Sequence, residues 1–172
     1  MTGENGKNEV GASSTITLIG YVNADSATQE HHCAITGYAF LIKGGAVLWG
    51  SQKQELVTLS TAESEYVTAM HASKEAIWLC HLIREMFAPL AHPLVLYGDT
   101  ESAIVLMHNG SYHACMKHID VCYHFIHFSI ENGSISFLYC PSTDMITDTL
   151  TKALPSIKAK HFVLKLGLRP SI

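Results

Sequence analysis

The 172-residue chain has the composition of one globular domain, large enough to bury a core of its own. Apolar residues make up 48% of it and charged residues only 15%, which excludes an intrinsically disordered chain. No apolar run reaches the length of a membrane span, and the first residues lack the apolar segment of a secretory signal peptide. The five cysteines are an odd number without a Cys-x-x-Cys pair, so we expect an intracellular protein with reduced thiols.

The net charge of −4 is unevenly distributed along the chain. Residues 1–150 carry six of the eleven Lys and Arg residues and all fifteen acids, whereas residues 151–172 carry the other five basic residues. An acidic body with a basic tail suits a metal site flanked by a phosphate contact. A solvated basic helix face would give the same pattern, and both interpretations remain open.

The first part of the chain predicts a flexible leader and three strands. Residues 1–14 are polar and rich in Gly, Ser and Asn, as is typical of a loose terminus. The predicted strands cover residues 16–24, 35–42 and 46–51. The first strand ends at Asp25, and Lys43-Gly44-Gly45 predicts a hairpin turn between the other two. Three strands in hairpin order indicate an antiparallel edge of a sheet.

Helices and strands alternate in the rest of the chain. Ser60-Thr61-Ala62-Glu63 is a capping box that predicts a helix start, and apolar residues recur at helical spacing to about residue 87. The later predicted elements are a strand over 94–98, helices over 100–108 and 118–131, a strand over 134–140, a short helix from 141 through Asp148, and a helix over 156–166. The order β-β-β-α-β-α-α-β-α-α predicts an α/β fold, with a mixed five-stranded sheet and helices on its faces. We assign residues 15–155 to this domain and residues 156–172 to a basic C-terminal helix packed on it.

Four carboxylates at the edges of predicted elements form the candidate site: Asp25, Glu65, Asp99 and Asp148. Acids from distant parts of a chain rarely converge without a cation, because like charges repel and raise one another's pKa. Carboxylates that hold two divalent ions are a common arrangement for phosphodiester cleavage. Asp25 and Asp99 follow strands next to crossovers, where the ligand groups of such sheets collect.

Each acid also has a structural interpretation. Glu63 completes the capping box, whereas Glu65 lies about 200° around the helix from it, so Glu65 is the preferred candidate. Asp99 directly precedes a predicted helix, and a capping role there remains equally open. Asp144 and Asp148 are four residues apart and would share one face of the short helix. Asp148 lies among apolar neighbours, where an acid needs a partner, and is therefore the preferred ligand of the two.

Several motifs extend through most of the chain in a fixed order. They are Gly20-Tyr21-Val22-Asn23-Ala24-Asp25, Leu59-Ser60-Thr61-Ala62-Glu63-Ser64-Glu65-Tyr66, Lys74-Glu75-Ala76-Ile77-Trp78-Leu79, Tyr97-Gly98-Asp99 with Ser102-Ala103-Ile104, Lys117-His118-Ile119-Asp120 with Tyr123-His124-Phe125, and Thr147-Asp148 with Leu150-Thr151-Lys152-Ala153-Leu154-Pro155. Together they resemble the ribonuclease H domain of copia-type (Pseudoviridae-like) LTR retrotransposon polyproteins. The resemblance covers about residues 19–168 and implies a ribonuclease H-like fold.

The resemblance also implies an activity and its cofactors. In this family two Mg²⁺ ions, for which Mn²⁺ substitutes, bind an Asp-Glu-Asp-Asp set, which corresponds to the four acids above. The implied reaction is endonucleolytic hydrolysis of the RNA strand of an RNA–DNA hybrid during reverse transcription, with the hybrid recognised by shape and 2′-hydroxyls. The expected hybrid contacts are Ser60, Lys117 and Lys152. Expected partners are the reverse transcriptase and integrase regions of a parent polyprotein, in a cytoplasmic virus-like particle or the nucleus and without a membrane.

The sequence departs from this family at several positions. Thr100 and Glu101 stand where Asn-Gln is common, Ser26 stands where a bulky aromatic residue is common, and Cys122 replaces a frequent basic residue. Glu101 adds a negative charge near the expected phosphate path, and Cys122 removes a positive one. We therefore expect weaker hybrid binding than in a typical family member.

Two further interpretations remain open beside an active nuclease. A catalytically inactive or domesticated copy would keep the fold as a nucleic-acid-binding or protein-binding module. A zinc-stabilised interaction domain is the other, because His118 and Cys122 are four residues apart and could share Zn²⁺ on one helix face. That spacing matches no structural zinc module, and the retention of all four acids favours the nuclease.

Overall fold

The computed structural model describes residues 15–25, 33–58, 60–87, 90, 93–108 and 120–169. The strands are β1 (Leu18–Asp25), β2 (Ile35–Ile42), β3 (Gly45–Lys53), β4 (Leu94–Gly98) and β5 (Ile135–Tyr139). The helices are α1 (Thr61–Met86), α2 (Glu101–His108), α3 (Asp120–Glu131), α4 (Asp148–Thr151) and α5 (Ser156–Lys165). This is the predicted order of elements. The predicted leader over residues 1–14 lies outside the described residues.

One mixed sheet with the strand order β3-β2-β1-β4-β5 organises the fold. β1, β2 and β3 pair antiparallel, while β4 pairs parallel with β1 and β5 parallel with β4. The β2–β3 turn has positive φ at Lys43 and Gly44, 50° and 78°, as a two-residue hairpin turn requires. The predicted antiparallel hairpins and the mixed sheet are confirmed.

Apolar clusters cover the two faces of the sheet. The larger cluster joins Leu18, Val22 and Phe40 of the sheet to buried residues of α1, α2 and α3. The smaller joins Ala39 and Leu41 of β2 to residues of the C-terminal segment, Ile146, Phe162 and Leu166. Successive side chains of a strand point to opposite faces, so β1 and β2 contribute to both clusters. Over the described ranges, no helix has the length and apolar character that a membrane crossing requires.

The segment before α4 differs from the prediction. The short helix begins at Asp148, whereas the sequence predicted that it would run from residue 141 through Asp148. Residues 142–144 form a turn, in which the backbone N–H of Asp144 donates to Pro141 O over 2.8 Å. Pro, Ser, Thr and Asp are turn-forming residues, and here they form a turn instead of a helix start. The prediction that Asp144 and Asp148 share a helix face is therefore wrong.

Candidate active site

Two neighbouring parallel strands bring Asp25 and Asp99 to one edge of the sheet. Tyr21 of β1 lies opposite Tyr97 of β4, so both strands end on the same side. Asp25 is the last residue of β1 and is buried, and Asp99 directly follows β4 and is half-buried. The structure thus places these two acids where the strand pattern predicted a ligand site.

Glu65 reaches the same edge from α1. The start of this helix is fixed by Ser60, whose Oγ accepts a hydrogen bond from the backbone N–H of Glu63 over 3.2 Å, as the capping box predicted. Glu65 lies in the next turn and is only 7% exposed. Its Oε1 accepts a hydrogen bond of 3.1 Å from the backbone N–H of Ala24, the residue before Asp25. The end of β1 therefore holds the Glu65 carboxyl beside Asp25.

The electrostatic environment of Glu65 is unfavourable for a negative charge. Burial raises the pKa of Glu65 from 4.5 to about 8, and the negative charge of Asp99 adds to the rise, although the Ala24 N–H, Lys152 and the Thr100 hydroxyl oppose it. The Thr100 hydroxyl also lies 3.2 Å from Asp99 Oδ1, so its single proton is donated to one of the two acids at a time. A cation bound between these carboxylates would favour their ionised forms.

The carboxylate of Asp148 is surrounded by donors. Its side chain is 1% exposed, and its Oδ1 accepts a hydrogen bond of 2.6 Å from Asn23 Nδ2. Lys152 Nζ lies 2.8 Å from Oδ1 and Lys158 Nζ lies 3.1 Å from Oδ2. Asn23 and Asp25 are two residues apart in β1 and point to the same face of the sheet. Asp148 therefore adjoins the face of β1 from which Asp25 projects.

A glycine in β2 allows α4 to carry Asp148 close to the sheet. A Cβ added at Gly37 would lie 2.5 Å from Thr151 Cγ2 and 3.3 Å from Leu150 Cβ, so a larger residue there would require the Thr151 side chain or α4 to shift. Thr151 Oγ1 also accepts a hydrogen bond of 3.3 Å from Asn23 Nδ2. The position of the fourth acid thus depends on this contact between α4 and the two central strands.

The structure describes some of the predicted hybrid contacts and family departures and leaves others outside the described residues. Ser60 is exposed and caps α1, and Lys152 pairs with Asp148, so their predicted contacts with a hybrid stay predictions. The sequence suggested that Cys122 lies near a phosphate path. In the structure its side chain is 8% exposed and belongs to the larger core cluster, so it is not on the surface. Lys117, His118 and Ser26 lie outside the described residues.

Sequence reasoning did not single out three residues that shape the site. Asn23 was noted only as part of a motif, Thr100 only as a departure from the family, and Lys158 only as part of the basic tail. A detectable signal existed for Asn23, because a polar residue in the middle of a buried strand needs a hydrogen-bond partner. No local signal links Asn23 with Asp148, which lies 125 residues further along the chain.

The donor set fits divalent ions in its chemistry. Mg²⁺ prefers carboxylate oxygens and completes its shell with water and substrate phosphate, so it does not need a closed protein cage. Burial and the neighbouring half-buried Asp99 raise the pKa of Glu65, and a divalent ion bound beside Glu65 would favour its ionised form. Among the residues that the structure describes, no group of three His, Cys, Asp or Glu side chains is arranged to hold a metal ion by itself.

Comparisons with known proteins identify both relatives and fold. No family model matches the chain. The retrovirus-related Pol polyprotein from transposon TNT 1-94 of Nicotiana tabacum is 40% identical over 142 residues, which are 82% of this chain and 11% of the polyprotein. The corresponding polyprotein from transposon RE2 of Arabidopsis thaliana is 34% identical over 155 residues, 90% of this chain and again 11% of the relative. The chain thus spans about a ninth of the length of the curated relatives it matches.

Solved structures establish the fold. The N-terminal ribonuclease H domain of a Mycobacterium tuberculosis protein, solved as a fusion with maltose-binding protein, has a TM-score of 0.60 and 12% identity, covering 86% of this chain and 99% of that chain. LC11-RNase H1, solved in complex with an RNA/DNA hybrid, has a TM-score of 0.57 and 13% identity, covering 78% and 94%. The predicted ribonuclease H-like fold is confirmed. Sequence and fold together show that the chain belongs to the ribonuclease H domains of retrotransposon Pol polyproteins.

Proposed function

We propose that this domain hydrolyses the RNA strand of RNA–DNA hybrids with two divalent ions, Mg²⁺ or Mn²⁺, held by Asp25, Glu65, Asp99 and Asp148. The observation that carries the proposal is the hydrogen bond from the Ala24 N–H to Glu65 Oε1, which holds a buried carboxyl at the end of β1. Asp99 lies close enough to raise the pKa of that carboxyl. Asp25 and Asp99 follow two neighbouring parallel strands, and Glu65 bonds to the residue before Asp25, which supports a shared site at the edge of the sheet where ligand groups collect.

Hydrogen bonds from neighbouring residues hold the acids at this edge in place for a substrate phosphate. The Ala24 N–H and the Thr100 hydroxyl orient Glu65, and Ser142 Oγ donates to Asp99 Oδ2 over 3.3 Å, so that the partly exposed acid is held from the β5–α4 connection. Asn23, two residues before Asp25 in β1, holds Asp148 through its side-chain amide. Bound divalent ions supply a water of lowered pKa and offset the negative charge that develops on the phosphorus. Asp25, Glu65, Asp99 and Asp148 would hold the ions, and the burial of Glu65 would limit competing water.

The proposed substrate rests on relatives as well as on chemistry. LC11-RNase H1, which shares the fold, was solved with an RNA/DNA hybrid. An A-like hybrid presents 2′-hydroxyls and phosphates rather than base edges, so we expect it to be recognised by shape. Ser60, Lys117 and Lys152 are the proposed contacts to the hybrid. The Pol polyproteins that the chain resembles support a polyprotein context for this domain. As its partners we propose reverse transcriptase and integrase regions, and as its location a cytoplasmic virus-like particle or the nucleus.

The test is cleavage of a strand-labelled RNA–DNA hybrid by the purified protein with Mg²⁺ or Mn²⁺, beside an Asp99→Asn variant. Metal-dependent cleavage of the RNA strand alone, abolished in the variant, is the expected result. A folded protein that binds the hybrid without cutting it would contradict the enzymatic function. It would leave the fold as a binding module, the alternative left open by the sequence.

A further inference from the structure

Helix α5 carries more apolar residues than the fold buries. Within α5, Phe162 is buried in the smaller cluster, whereas Ile157 is 86% exposed, Leu164 is 61% exposed and Val163 is 38% exposed. Leu168, which follows the helix, is 46% exposed. Single exposed apolar residues are ordinary on a protein surface, but these share one ten-residue helix and the turn after it. Such a surface marks an interaction site when its residues also form one groove.

One side of α5 does form a groove, with a volume of about 710 Å³. Its apolar lining consists of Ala159, Val163 and Leu164 of the helix and Leu168 beyond it. Residues 159 and 163 are four positions apart, as are residues 160 and 164, so the lining follows one side of the helix. Ten helical residues extend about 15 Å, so the α5 groove has the length of a partner helix of about three turns.

The charge beside the α5 groove is positive. Residues 149–172 contain five Lys and Arg residues and no acid. Three of the five, Lys152, Lys158 and Lys165, form ion pairs with acids of the fold. The other two, Lys160 and Arg169, line the groove, and neither forms an ion pair with an acid that the structure describes. The groove therefore combines apolar walls with two cations that the described part of the chain does not balance.

We propose that the α5 groove is the docking site of an acidic amphipathic helix, which presents apolar residues at i, i+3 or i+4, and i+7 with carboxylates beside them. The apolar side chains would cover Val163, Leu164 and Leu168, and the carboxylates would pair with Lys160 and Arg169. The chain spans only 11% of each Pol polyprotein that it matches, so the rest of a parent polyprotein is the expected source of this helix. The inference does not depend on the proposed hydrolysis.

Charge favours this partner over a second copy of the chain or a nucleic acid. Two α5 grooves packed together would bring two cations from each copy and no acid into one interface, and like charges oppose association. A nucleic acid would satisfy Lys160 and Arg169 with its phosphates. Phosphates would, however, leave the apolar lining without apolar contacts.

The experiment measures peptide binding to the full chain by fluorescence anisotropy, without hybrid or divalent ions. The probes are two labelled amphipathic helical peptides of equal length with leucine on the apolar face, one flanked by glutamates and the other by lysines. We expect the glutamate peptide to bind at least about tenfold more tightly than the lysine peptide. Leu164→Asn changes an exposed residue and should weaken that binding at least about fivefold. Val105→Asn, at an equally exposed position on α2, is the matched control and should bind like the unchanged protein.

A charge reversal tests the two cations. Lys160→Glu combined with Arg169→Glu should invert the preference, so that the lysine peptide binds more tightly than the glutamate peptide. Lys53→Glu combined with Lys74→Glu changes the net charge by the same amount at exposed positions of β3 and α1. This second pair should leave the preference for the glutamate peptide unchanged.

Other results would overturn the inference. They are a failure of the glutamate peptide to bind, equal binding of the two peptides, and unchanged binding by Leu164→Asn. A dimer in sedimentation equilibrium that Leu164→Asn dissociates would assign the α5 groove to a second copy, and hybrid binding that is lost with Lys160 and Arg169 would assign it to a nucleic acid. Hybrid cleavage by Leu164→Asn should equal that of the unchanged protein, so failure of this inference and failure of the proposed function are separate results.

Discussion

Glu65 and Asp148 are both buried carboxyls at one end of the sheet, yet their surroundings are opposite. Glu65 is held by one backbone N–H and the Thr100 hydroxyl, next to another acid, and its pKa is raised to about 8. Asp148 is less exposed and has two lysines and an asparagine around its two oxygens. Two carboxyls with similar burial can therefore have opposite electrostatic surroundings, because the hydrogen-bond donors and charged groups beside them differ.

The difference divides the site into two regions. At the end of β1, burial and the neighbouring Asp99 disfavour the charge of Glu65, which is a cost that an external cation can relieve. At the start of α4, the chain supplies the balancing cations itself. Conservative amide substitutions at the two positions should therefore have opposite effects on stability, whereas both positions matter for the proposed chemistry.

The largest expected effect is on cleavage. Glu65→Gln keeps an acceptor for the Ala24 N–H but removes the charge, so hybrid cleavage in Mg²⁺ should fall at least about a hundredfold. Glu63→Gln is the matched control, because Glu63 is another buried acid of the same helix, two residues away. Its cleavage rate should remain close to that of the unchanged protein. An equal loss in Glu63→Gln would remove the distinction between the two glutamates.

Glu65→Gln should also change stability, measured by urea unfolding without divalent ions. The pKa of Glu65 rises from 4.5 unfolded to about 8 folded, so the folded state binds its proton more tightly. Stability is unaffected by this group below pH 4.5 and falls as the pH rises from 4.5 to about 8. The cost reaches about 3 kcal/mol at pH 7.

The glutamine variant should therefore be more stable than the unchanged protein at pH 7, and its stability should vary less between pH 5 and pH 8. Equal stability of the two proteins across that range would mean that Glu65 ionises freely in the fold. Saturating Mg²⁺ is a useful second condition, since it should stabilise the unchanged protein and not the variant.

Asp148→Asn should act in the opposite direction. The amide keeps an oxygen for the Asn23 donor but loses the charge that pairs with Lys152 and Lys158. Because both lysines are partly exposed, 34% and 40%, solvent screening reduces the loss to about 1 to 2 kcal/mol at pH 7. Urea unfolding at low and high salt measures it, and the difference should shrink in high salt. A stabilising Asp148→Asn would show that the carboxylate is not balanced by its lysines.

The sequence was a good guide wherever neighbouring residues decide the structure. The hairpin at Lys43-Gly44, the helix start at Ser60 and the order of elements all follow from local turn, capping and periodicity signals. The sequence also placed Asp25 and Asp99 at strand ends next to crossovers, and the structure shows that these two strands are parallel neighbours. These features depend on a few consecutive residues or on strand topology.

The pairing around Asp148 could not be predicted in the same way. Its partners lie 4, 10 and 125 residues away, and only packing of α4 and α5 against β1 and β2 brings them together. The start of α4 was also missed, because Ser142, Thr143 and Asp144 favour a turn as readily as a helix cap. That error put Asp144 on the wrong surface, beside Asp148 in the prediction and beside Lys165 of α5 in the structure.

The smallest expected effect tests that correction. Lys165 Nζ lies 2.6 Å from Asp144 Oδ1, and the hydrogen bond and charge of Lys165 hold the pKa of Asp144 below its ordinary value of 3.8. Because the folded pKa is depressed, this pair contributes above pH 3.8 and its contribution is lost as the pH falls through the folded pKa. Both side chains are exposed, so Asp144→Asn should leave urea unfolding at pH 7 close to that of the unchanged protein. If Asp144→Asn instead weakened the fold as much as Asp148→Asn, the two acids would share one balanced cluster. The contrast between a solvated pair and a buried one would then not hold.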